Sequence, residues 1–402
     1  MSIPEQFDPI ELPPVADGEP PLEDFPAAHD LPAGTPNSNE PVDASGPVDS
    51  ATPDAEKISA DDAAATAQLT DDKVAARLQE APHSERIAAV IYNPIKVNLN
   101  ALRASVASAE KSAGWGTTIW FETSEEDPGQ KVAKEAVDAG ADVVMAAGGD
   151  GTVRAVAESL RGTGIPIALL PSGTGNLLAR NLQLTLDNLP ESIGAAFTGT
   201  DRTIDLGVVD VERAGGGKEK FVFLVMAGFG LDAKMVANTD PALKKRVGWF
   251  AYLDAIAKSL RDKDRLNIRF SIDGAPARST RVHTVLVGNC GLLPGNIMLL
   301  PEASVDDGVF DIVALRPEGF FGWVQIWTKI IWENGVLRRS TVGRKIVSLT
   351  KEVRVLRYLR GRELKLRLEQ EEEFELDGDG FGKAIAIRAV VDPLALVIKM
   401  PA

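Results

Sequence analysis

Two glycine-rich turns carry the residues of this chain that are best suited to chemistry. The first reads Gly-Gly-Asp-Gly-Thr over residues 148–152, and the second reads Pro-Ser-Gly-Thr-Gly-Asn over residues 171–176. Glycine has no Cβ, so backbone N–H groups can approach an anionic ligand closely. A helix that starts after such a turn adds unpaired donors and partial positive charge. The pattern therefore predicts a phosphate cradle.

Asp150 is the unexpected member of the first turn. A carboxylate repels phosphate unless a cation lies between them, so its presence predicts Mg²⁺. The second turn offers hydroxyl and amide groups instead, from Ser172, Thr174 and Asn176. Neither turn has the Gly-Lys-Ser/Thr of a P-loop, which excludes that class of site. The alternative interpretation is a pair of ordinary tight turns without a ligand.

The segments around the turns predict a parallel α/β domain. Each turn follows a short apolar run and precedes a helical pattern, and such alternation is typical of a buried parallel sheet. Ligands bind to these sheets where strands end and helices begin. Upstream, the pattern predicts a strand over 86–92, a helix over 98–113, a strand over 117–123 and a helix over 129–139. We expect a Rossmann-like, three-layer nucleotide domain over residues 85–207.

The pattern changes after residue 207, where predicted strands follow one another. They cover residues 221–227, 266–272, 282–288, 309–314, 353–356, 364–368 and 384–390. Strands in succession predict an antiparallel β sandwich, here over residues 208–402. Asp205 lies just before this boundary and, judged by local sequence alone, is a turn residue.

Residues 1–80 differ in composition from the rest of the chain. They hold 18 acidic and 3 basic residues, so the formal charge of −15 lies entirely in this stretch, with 12 of the 25 prolines. High net charge with low hydrophobicity predicts a disordered, acidic, proline-rich tail. Its simplest role is a solvated spacer. The alternative is an electrostatic brake that anionic lipid repels or that covers a basic face.

Cellular location can be predicted from three features. Cys290 is the one cysteine, which excludes an intrachain disulfide and favours a reducing compartment. No apolar run reaches the roughly 18 residues of a membrane span. The acidic, proline-rich N-terminal stretch does not fit a signal peptide. We therefore expect a cytoplasmic protein.

The two turns together resemble the catalytic domain of the diacylglycerol kinase family, which includes bacterial soluble lipid kinases and relatives of sphingosine and ceramide kinases. NAD kinases and phosphofructokinases share only the Gly-Gly-Asp-Gly part, so the second turn favours the lipid kinases over these two families. The resemblance runs from about Ile87 to the C-terminal end of the sequence. It implies ATP and Mg²⁺ as cofactors, ATP in a cleft between the domains, and lipid held by the β domain. The implied reaction transfers the γ-phosphoryl group to a lipid hydroxyl, with diacylglycerol as the leading substrate.

The resemblance also implies which residues contact the nucleotide. After the first strand the implied contacts are Asn93 and Pro94, and the basic Lys96 faces the phosphates. At the end of the second strand the implied contact is Thr123. For Pro94 alone, simply ending the strand is the better explanation. The two glycine turns complete the nucleotide set with Gly148, Gly149, Asp150, Gly151, Thr152, Val153, Arg154, Ser172, Gly173, Thr174 and Asn176.

Metal ligands are implied at two places. The acid matching Asp205 joins a magnesium–water network in the family. The segment Ser304–Val309 resembles a loop that binds a structural Mg²⁺ through Asp307 and the carbonyls of Ser304 and Val309. Oxygen ligands on a tight turn suit a hard cation. An Asp-Gly hairpin turn without metal is the alternative.

Two acids carry the implied catalysis, Asp150 at the phosphates and Asp379 as general base. The segment Leu376–Asp379 matches an Asp-Gly-Glu segment in which the third residue takes the proton of the lipid hydroxyl. Asp379 is one methylene shorter than the family's glutamate. Leu177 is a second departure, because many relatives carry Asp there.

These departures leave other functions open. The chain is predicted to be a kinase for diacylglycerol. The alternatives are a kinase for another lipid alcohol, either sphingoid or polyprenol, and a nucleotide-binding regulatory protein that has lost catalysis. The expected partner is lipid at the inner face of the membrane, bound peripherally; nucleic acid is not expected, and a homodimer is left open. Two amphipathic patterns, at 244–252 and 323–330, fit either core packing or a membrane-facing role.

Overall fold

The computed structural model describes residues 10–14, 86–173, 175–230, 265–293, 297–316 and 356–402. Several predictions fall outside these ranges: most of the acidic tail, Thr174, and the amphipathic patterns at 244–252 and 323–330. They stay predictions.

Five helices and four strands form the described part of the nucleotide domain. The strands are β1 (Ala88–Tyr92), β2 (Ile119–Glu122), β3 (Val143–Gly148) and β4 (Ile167–Pro171). The helices are α1 (Leu99–Ala113), α2 (Gln130–Asp138), α3 (Asp150–Leu160), α4 (Leu177–Asn181) and α5 (Leu189–Thr198). Among the described helices none is long and apolar enough to cross a bilayer.

The four strands lie in the order β4-β3-β1-β2 and pair in parallel. Every residue of β1 and β3 is buried, which explains their uninterrupted apolar sequence. Helices α1 and α5 pack on one face of the sheet through Leu102 and Ile193. Helices α2 and α3 pack on the other through Ala133 and Val156. The predicted three-layer domain is therefore confirmed.

Twelve further strands follow in the described part of the chain. They are β5 (Thr200–Glu212), β6 (Lys218–Phe223), β7 (Met226–Phe229), β8 (Leu266–Ile272), β9 (Arg278–Val282), β10 (Thr284–Gly288), β11 (Leu292–Leu293), β12 (Ile297–Met298), β13 (Phe310–Leu315), β14 (Leu356–Gly361), β15 (Glu363–Leu376) and β16 (Asp379–Met400). Their pairings with one another are antiparallel. A second core lies between their inner faces and includes Phe223, Phe310 and Phe374. The predicted antiparallel sandwich is confirmed as well.

Two long strands join the domains. β16 has 22 residues; it pairs with β15 and β5, and near its end Ile398 pairs in parallel with Ile167 of β4. Among the described residues, one hydrogen-bonded sheet of 14 strands results. The predicted boundary at residue 207 falls inside β5. The prediction of a turn at Asp205 was wrong, because this residue is a fully buried member of β5.

The prediction of disorder throughout residues 1–80 also needs a correction. Residues Ile10–Pro14 lie against the β domain, and Ile10 is 7% exposed. Local composition missed this contact because its partners are more than 200 residues away in the sequence.

Asp311 in β13 predicts a pH dependence of stability. Its side chain is buried, and burial, only partly offset by Arg360 with Nε 3.4 Å from Oδ1, raises its pKa to about 6 from 3.8. The folded chain therefore takes up this proton before the unfolded chain does, so the free energy of unfolding should rise as pH falls from 7.5 through 6.

Urea unfolding at pH 7.5 and pH 5 tests this. Relative to Asp311→Asn, the unsubstituted protein should gain about 1 kcal/mol on moving to pH 5. The exposed Glu373 supplies a control, since Glu373→Gln should retain that gain. Parallel pH responses of Asp311→Asn and the unsubstituted protein would contradict the assignment.

Candidate active site

The topology of the parallel sheet creates a crevice between β1 and β3. These strands are neighbours, but the helices that follow them, α1 and α3, pack on opposite faces of the sheet. Ligands of open α/β sheets bind at such a point, outside the carboxyl ends of the strands. Asn93 after β1 donates its N–H to Ala147 O of β3 at 2.9 Å. The structure thus brings Asn93 and Pro94 beside the first glycine turn.

Lys96 lies over the first turn. A Cβ built on Gly149 would come within 2.6 Å of Lys96 Nζ, so the ammonium group lies directly over this glycine. A Cβ on Gly173 would come within 2.9 Å of Gly149 Cα. The two turns therefore pack backbone against backbone, with a positive charge beside them.

Asp150 fastens the two turns together. Its carboxylate accepts the N–H of Asn176 at 2.9 Å and of Leu177 at 2.5 Å. Burial raises the pKa of Asp150, and the N–H bond from Leu177 works against that rise. Two backbone donors therefore compensate the charge of the Asp150 carboxylate, which does not require a cation to lie beside the turns. The Mg²⁺ prediction itself stays a prediction.

Other polar members of the turns bond within their own segments. Asn176 has a left-handed backbone, and its Nδ2 donates to Gly173 O at 2.8 Å, which closes the second turn. Ser172 Oγ donates to Leu170 O at 3.1 Å. The predicted nucleotide contacts of Asn176 and Ser172 are not tested by these bonds.

Threonines and a valine complete the predicted nucleotide set. Thr123 and Thr152 are buried, at 4% and 5% exposure. A Cβ on Gly148 would come within 2.6 Å of Thr152, so this pair is tightly packed. Val153 packs against the core on the α2–α3 side of the sheet. Of the three side chains, Thr152 is the one that the structure places against the first turn, and the nucleotide contacts of all three stay predictions.

An open cavity of about 280 Å³ adjoins the turns on the α1–α5 side of the sheet. Its lining includes Lys96, Asn98, Ser172 and Asp187. This volume lies at the lower end of the range for small-molecule sites, so it suits part of a nucleotide better than a whole one.

The β domain brings two acids toward the same crevice, in different environments. Asp377 is buried, and its Oδ1 accepts the N–H groups of Leu224, Val225 and Met226 at 3.3, 2.8 and 3.1 Å. Burial raises the pKa of Asp377. Asp379, by contrast, has a side chain 53% exposed. A Cβ on Gly151 would lie 3.2 Å from Asp379 Oδ2, so Asp379 faces the start of α3.

Arg154 links the two domains at this point. Its Nη1 donates to Leu376 O at 2.9 Å and its Nη2 to Asp379 Oδ2 at 3.0 Å. The guanidinium lies over the Phe381 ring, 4.6 Å from the centroid, and Nη1 is 3.8 Å from Asp377 Oδ2. Sequence reasoning placed Arg154 among the nucleotide contacts and missed this bridge. The available signal was its spacing of four from Asp150, which puts both on one face of α3.

The loop Ser304–Val309 is held by ion pairs and hydrogen bonds. Asp307 pairs with Arg360, and its Oδ1 accepts the N–H of Val309 at 3.3 Å. Ser304 Oγ donates to Asp306 Oδ1 at 2.8 Å.

Buried Asp205 accepts the N–H groups of Gly308 at 2.7 Å and Leu394 at 2.8 Å, which ties β5 to this loop. Within the described ranges, no group of three or more His, Cys, Asp or Glu side chains is placed to hold a metal ion. The metal predictions for Asp205, Ser304, Asp307 and Val309 stay predictions.

Comparison with known proteins first identifies the two domain families. Residues 88–209 match the family described as diacylglycerol kinase catalytic domain, and residues 225–334 match the YegS C-terminal NAD kinase beta sandwich-like domain. A putative diacylglycerol kinase from Bacillus anthracis str. Sterne has a similar fold, with a TM-score of 0.58 at 20% identity over 78% of this chain and 95% of that chain.

Two similar proteins then identify the family of the whole chain. A "Probable lipid kinase YegS-like" of Pseudomonas aeruginosa (strain UCBPP-PA14) is 36% identical over 224 residues, which is 55% of this chain and 70% of the relative. A "Diacylglycerol kinase" of Mycobacterium tuberculosis (strain H37Rv) is 32% identical over 183 residues, 46% of this chain and 58% of that protein. The chain belongs to the YegS-like lipid kinases of the diacylglycerol kinase catalytic-domain family.

Proposed function

We propose that this protein is an ATP-dependent lipid kinase that transfers the γ-phosphoryl group of ATP to a lipid hydroxyl, with diacylglycerol as substrate and phosphatidic acid as product. One observation carries the proposal: Asp379 of the β domain faces Gly151 at the start of α3, beside the phosphate cradle. An exposed carboxylate is thereby held next to the place where the γ-phosphate would lie.

Asp379 is the proposed general base. A lipid hydroxyl is a weak nucleophile until its proton leaves, and a positioned carboxylate accepts that proton. Oδ2 is bonded to Arg154, so the half-exposed carboxylate still has Oδ1 for the hydroxyl. The short aspartate is compatible with this role because β16 starts at Asp379 and brings it directly to the turn.

The nucleotide domain supplies the groups that stabilise phosphate charge. Backbone N–H groups of the glycine turns, the N-terminus of α3 and the Lys96 ammonium group lie at one edge of the sheet. Preorganised donors of this kind stabilise the charge that develops on the transferred group. Proton transfer and phosphate binding are thus divided between the two domains.

Mg²⁺ is part of the proposal. In kinase sites it usually binds through one or two carboxylates together with the phosphates. Each Asp150 oxygen accepts one N–H bond and keeps further lone pairs, so this carboxylate fits such a role. When bound, the ion would neutralise phosphate charge.

The lipid would be met at the membrane surface, by peripheral association from the cytoplasmic side. This part of the proposal rests on the family to which the chain belongs.

Radiolabelled ATP with mixed micelles tests the function. Thin-layer analysis should show labelled phosphatidic acid with diacylglycerol and much less product with a sphingoid base or a polyprenol. A labelled product only with one of these alcohols would redirect the substrate assignment. ATP binding without turnover of any lipid would favour a regulatory protein that has lost catalysis. The differences from the family pattern at Leu177 and Asp379 motivate this alternative hypothesis.

Arg154→Met provides a further test. Because Arg154 holds Asp379, its loss should lower kcat about tenfold or more while KM for ATP changes little. Arg154→Lys should recover part of the activity. Combined with Asp379→Asn, the Met substitution should add little further loss, since both act through one group.

The control is Arg161→Met at the other end of α3, where the side chain pairs with Asp392. Its kcat should be unchanged. Additive losses in the Arg154→Met/Asp379→Asn double variant would contradict a positioning role for Arg154.

A further inference from the structure

The outer face of the β domain carries a row of four residues in register. Arg269 of β8, Arg367 of β15, Ala386 of β16 and Glu212 of β5 are paired neighbours across the four strands. Side chains alternate along a strand, and the residues next to them, such as Leu366, belong to the inner core. The row therefore points away from the core.

Residues Ile10–Pro14 lie on this row and are bonded along their length. Arg367 Nη2 donates to Ile10 O at 3.3 Å, and Ile10 N donates to Glu212 Oε2 at 3.4 Å. Arg269 Nη2 donates to Pro13 O at 3.0 Å. Arg367 Nη2 also bonds both Glu212 oxygens at 3.0 Å, which fixes the two side chains that hold Ile10.

The bonds continue beyond the row. Ala277 N donates to Pro14 O at 3.3 Å, at the turn between β8 and β9. The segment thus runs from β5 to the far side of β8, across four strands. An accidental contact of one residue would not produce bonds at both ends.

The ion pair of Arg367 with Glu212 covers the short residue between them. Arg367 and Glu212 lie on either side of Ala386 and bond to each other across it. Ala386 is 0% exposed although it lies on the outer face, and Ile10, which bonds to both charged side chains, is 7% exposed. Ile10 is therefore buried against this ion pair.

The segment contributes backbone groups and the buried Ile10 side chain to this contact. Its carbonyls at Ile10, Pro13 and Pro14 accept bonds from the domain, while the Glu11 side chain is exposed. Proline has no N–H, so an extended proline segment offers carbonyls without leaving donors unpaired. The chemistry selects an apolar residue followed by an extended, proline-containing segment.

We propose that this outer face is a peptide-binding site whose occupant is the chain's own Ile10–Pro14. The intervening residues tie the segment covalently to the domain, which gives it an effective concentration on the order of millimolar. Even a weak site is then filled by its own chain at micromolar protein, in preference to a second copy. The site is independent of the proposed kinase activity.

A labelled peptide of residues 5–18 tests the site on the full chain. Ile10→Asp, which replaces a buried apolar side chain with a charged one, should free the site without altering the domain. The peptide should bind the Ile10→Asp chain at least about tenfold more tightly than the unsubstituted chain, whose site is filled. Adding Arg269→Met to Ile10→Asp should abolish that binding.

Arg281→Met in the Ile10→Asp chain is the matched control. Arg281 of β9 is an exposed arginine whose side chain is not among the hydrogen-bond donors to the segment in the described structure, so this variant should bind peptide normally. Equal peptide affinity for the unsubstituted and Ile10→Asp chains, or binding to neither, would overturn the proposal.

Hydrogen exchange gives a second readout without added peptide. The Ala277 N–H, bonded to Pro14 O, should exchange faster in Ile10→Asp, while β8 amides should not change. An unchanged Ala277 rate would overturn the proposal as well.

Discussion

Asp379→Asn should lower lipid phosphorylation by roughly 10²–10⁴-fold while ATP affinity stays within about twofold. The substitution keeps size and shape but removes the basicity that the proposed mechanism requires. ATP affinity should hold because the nucleotide side of the site is built from β1, β3 and the turns, and Asp379 comes from the β domain. Turnover and ATP affinity should be measured on the same preparations.

Two companion variants separate the neighbouring acids. Asp379→Glu restores the common family residue and should keep measurable activity. Asp377→Asn should retain turnover but lose stability, because the carboxylate accepts three backbone N–H groups in a buried position. Leaving part of such a set unsatisfied costs about 1–3 kcal/mol. An inactive but stable Asp377→Asn beside an active Asp379→Asn would show that the base is Asp377.

Asp150→Asn should lower turnover more than 10²-fold, the usual scale for removing one electrostatic catalytic group. The structure adds a reason that is independent of metal. The N–H groups of Asn176 and Leu177 bond to different oxygens of Asp150, and an amide replaces one of those oxygens with an NH2 group that can only donate, so one N–H loses its acceptor. The second turn should then shift away from the first, and ATP affinity should fall together with kcat.

Asp138→Asn is the matched control for Asp150→Asn. Asp138 is an exposed carboxylate at the C-terminal end of α2, outside the turns and the cavity, and its loss should leave turnover within about twofold. Thermal unfolding should verify that both variants are folded. Near-normal turnover in a folded Asp150→Asn variant would refute the role assigned to Asp150.

The local sequence pattern was sufficient to predict strands whose burial is regular along their length, either continuous or alternating. The buried runs of β1 and β3 and the alternating β8 belong to this group, and β8 was predicted over its observed residues. Local pattern failed at Asp205, because the donors that compensate a buried carboxylate in β5 come from Gly308 and Leu394, over 100 residues away.

The same limit applies to the site. The residue types of the turns predicted a phosphate cradle, and the resemblance pointed to Asp379. The sequence did not predict which partners the acidic residues of the site bond to. Asp150 bonds to a turn 26 residues later, and Arg154 bonds to an acid 225 residues later. The first pairing depends on how the neighbouring strands β3 and β4 place the two turns, and the second depends on how the two domains meet. No local stretch of sequence contains either arrangement.

The length of β16 has a consequence for biosynthesis. This strand follows every other described strand in the sequence, yet it supplies partners to β4 in the nucleotide domain and to β5, which spans the domain boundary. On the ribosome, β4 is therefore made with an open edge and keeps it until nearly all of both domains has emerged. Domains often fold one after another as they are synthesised. Here the sheet of the nucleotide domain is completed only after the β domain has been made, and an open β4 edge is prone to pair with another chain during that interval.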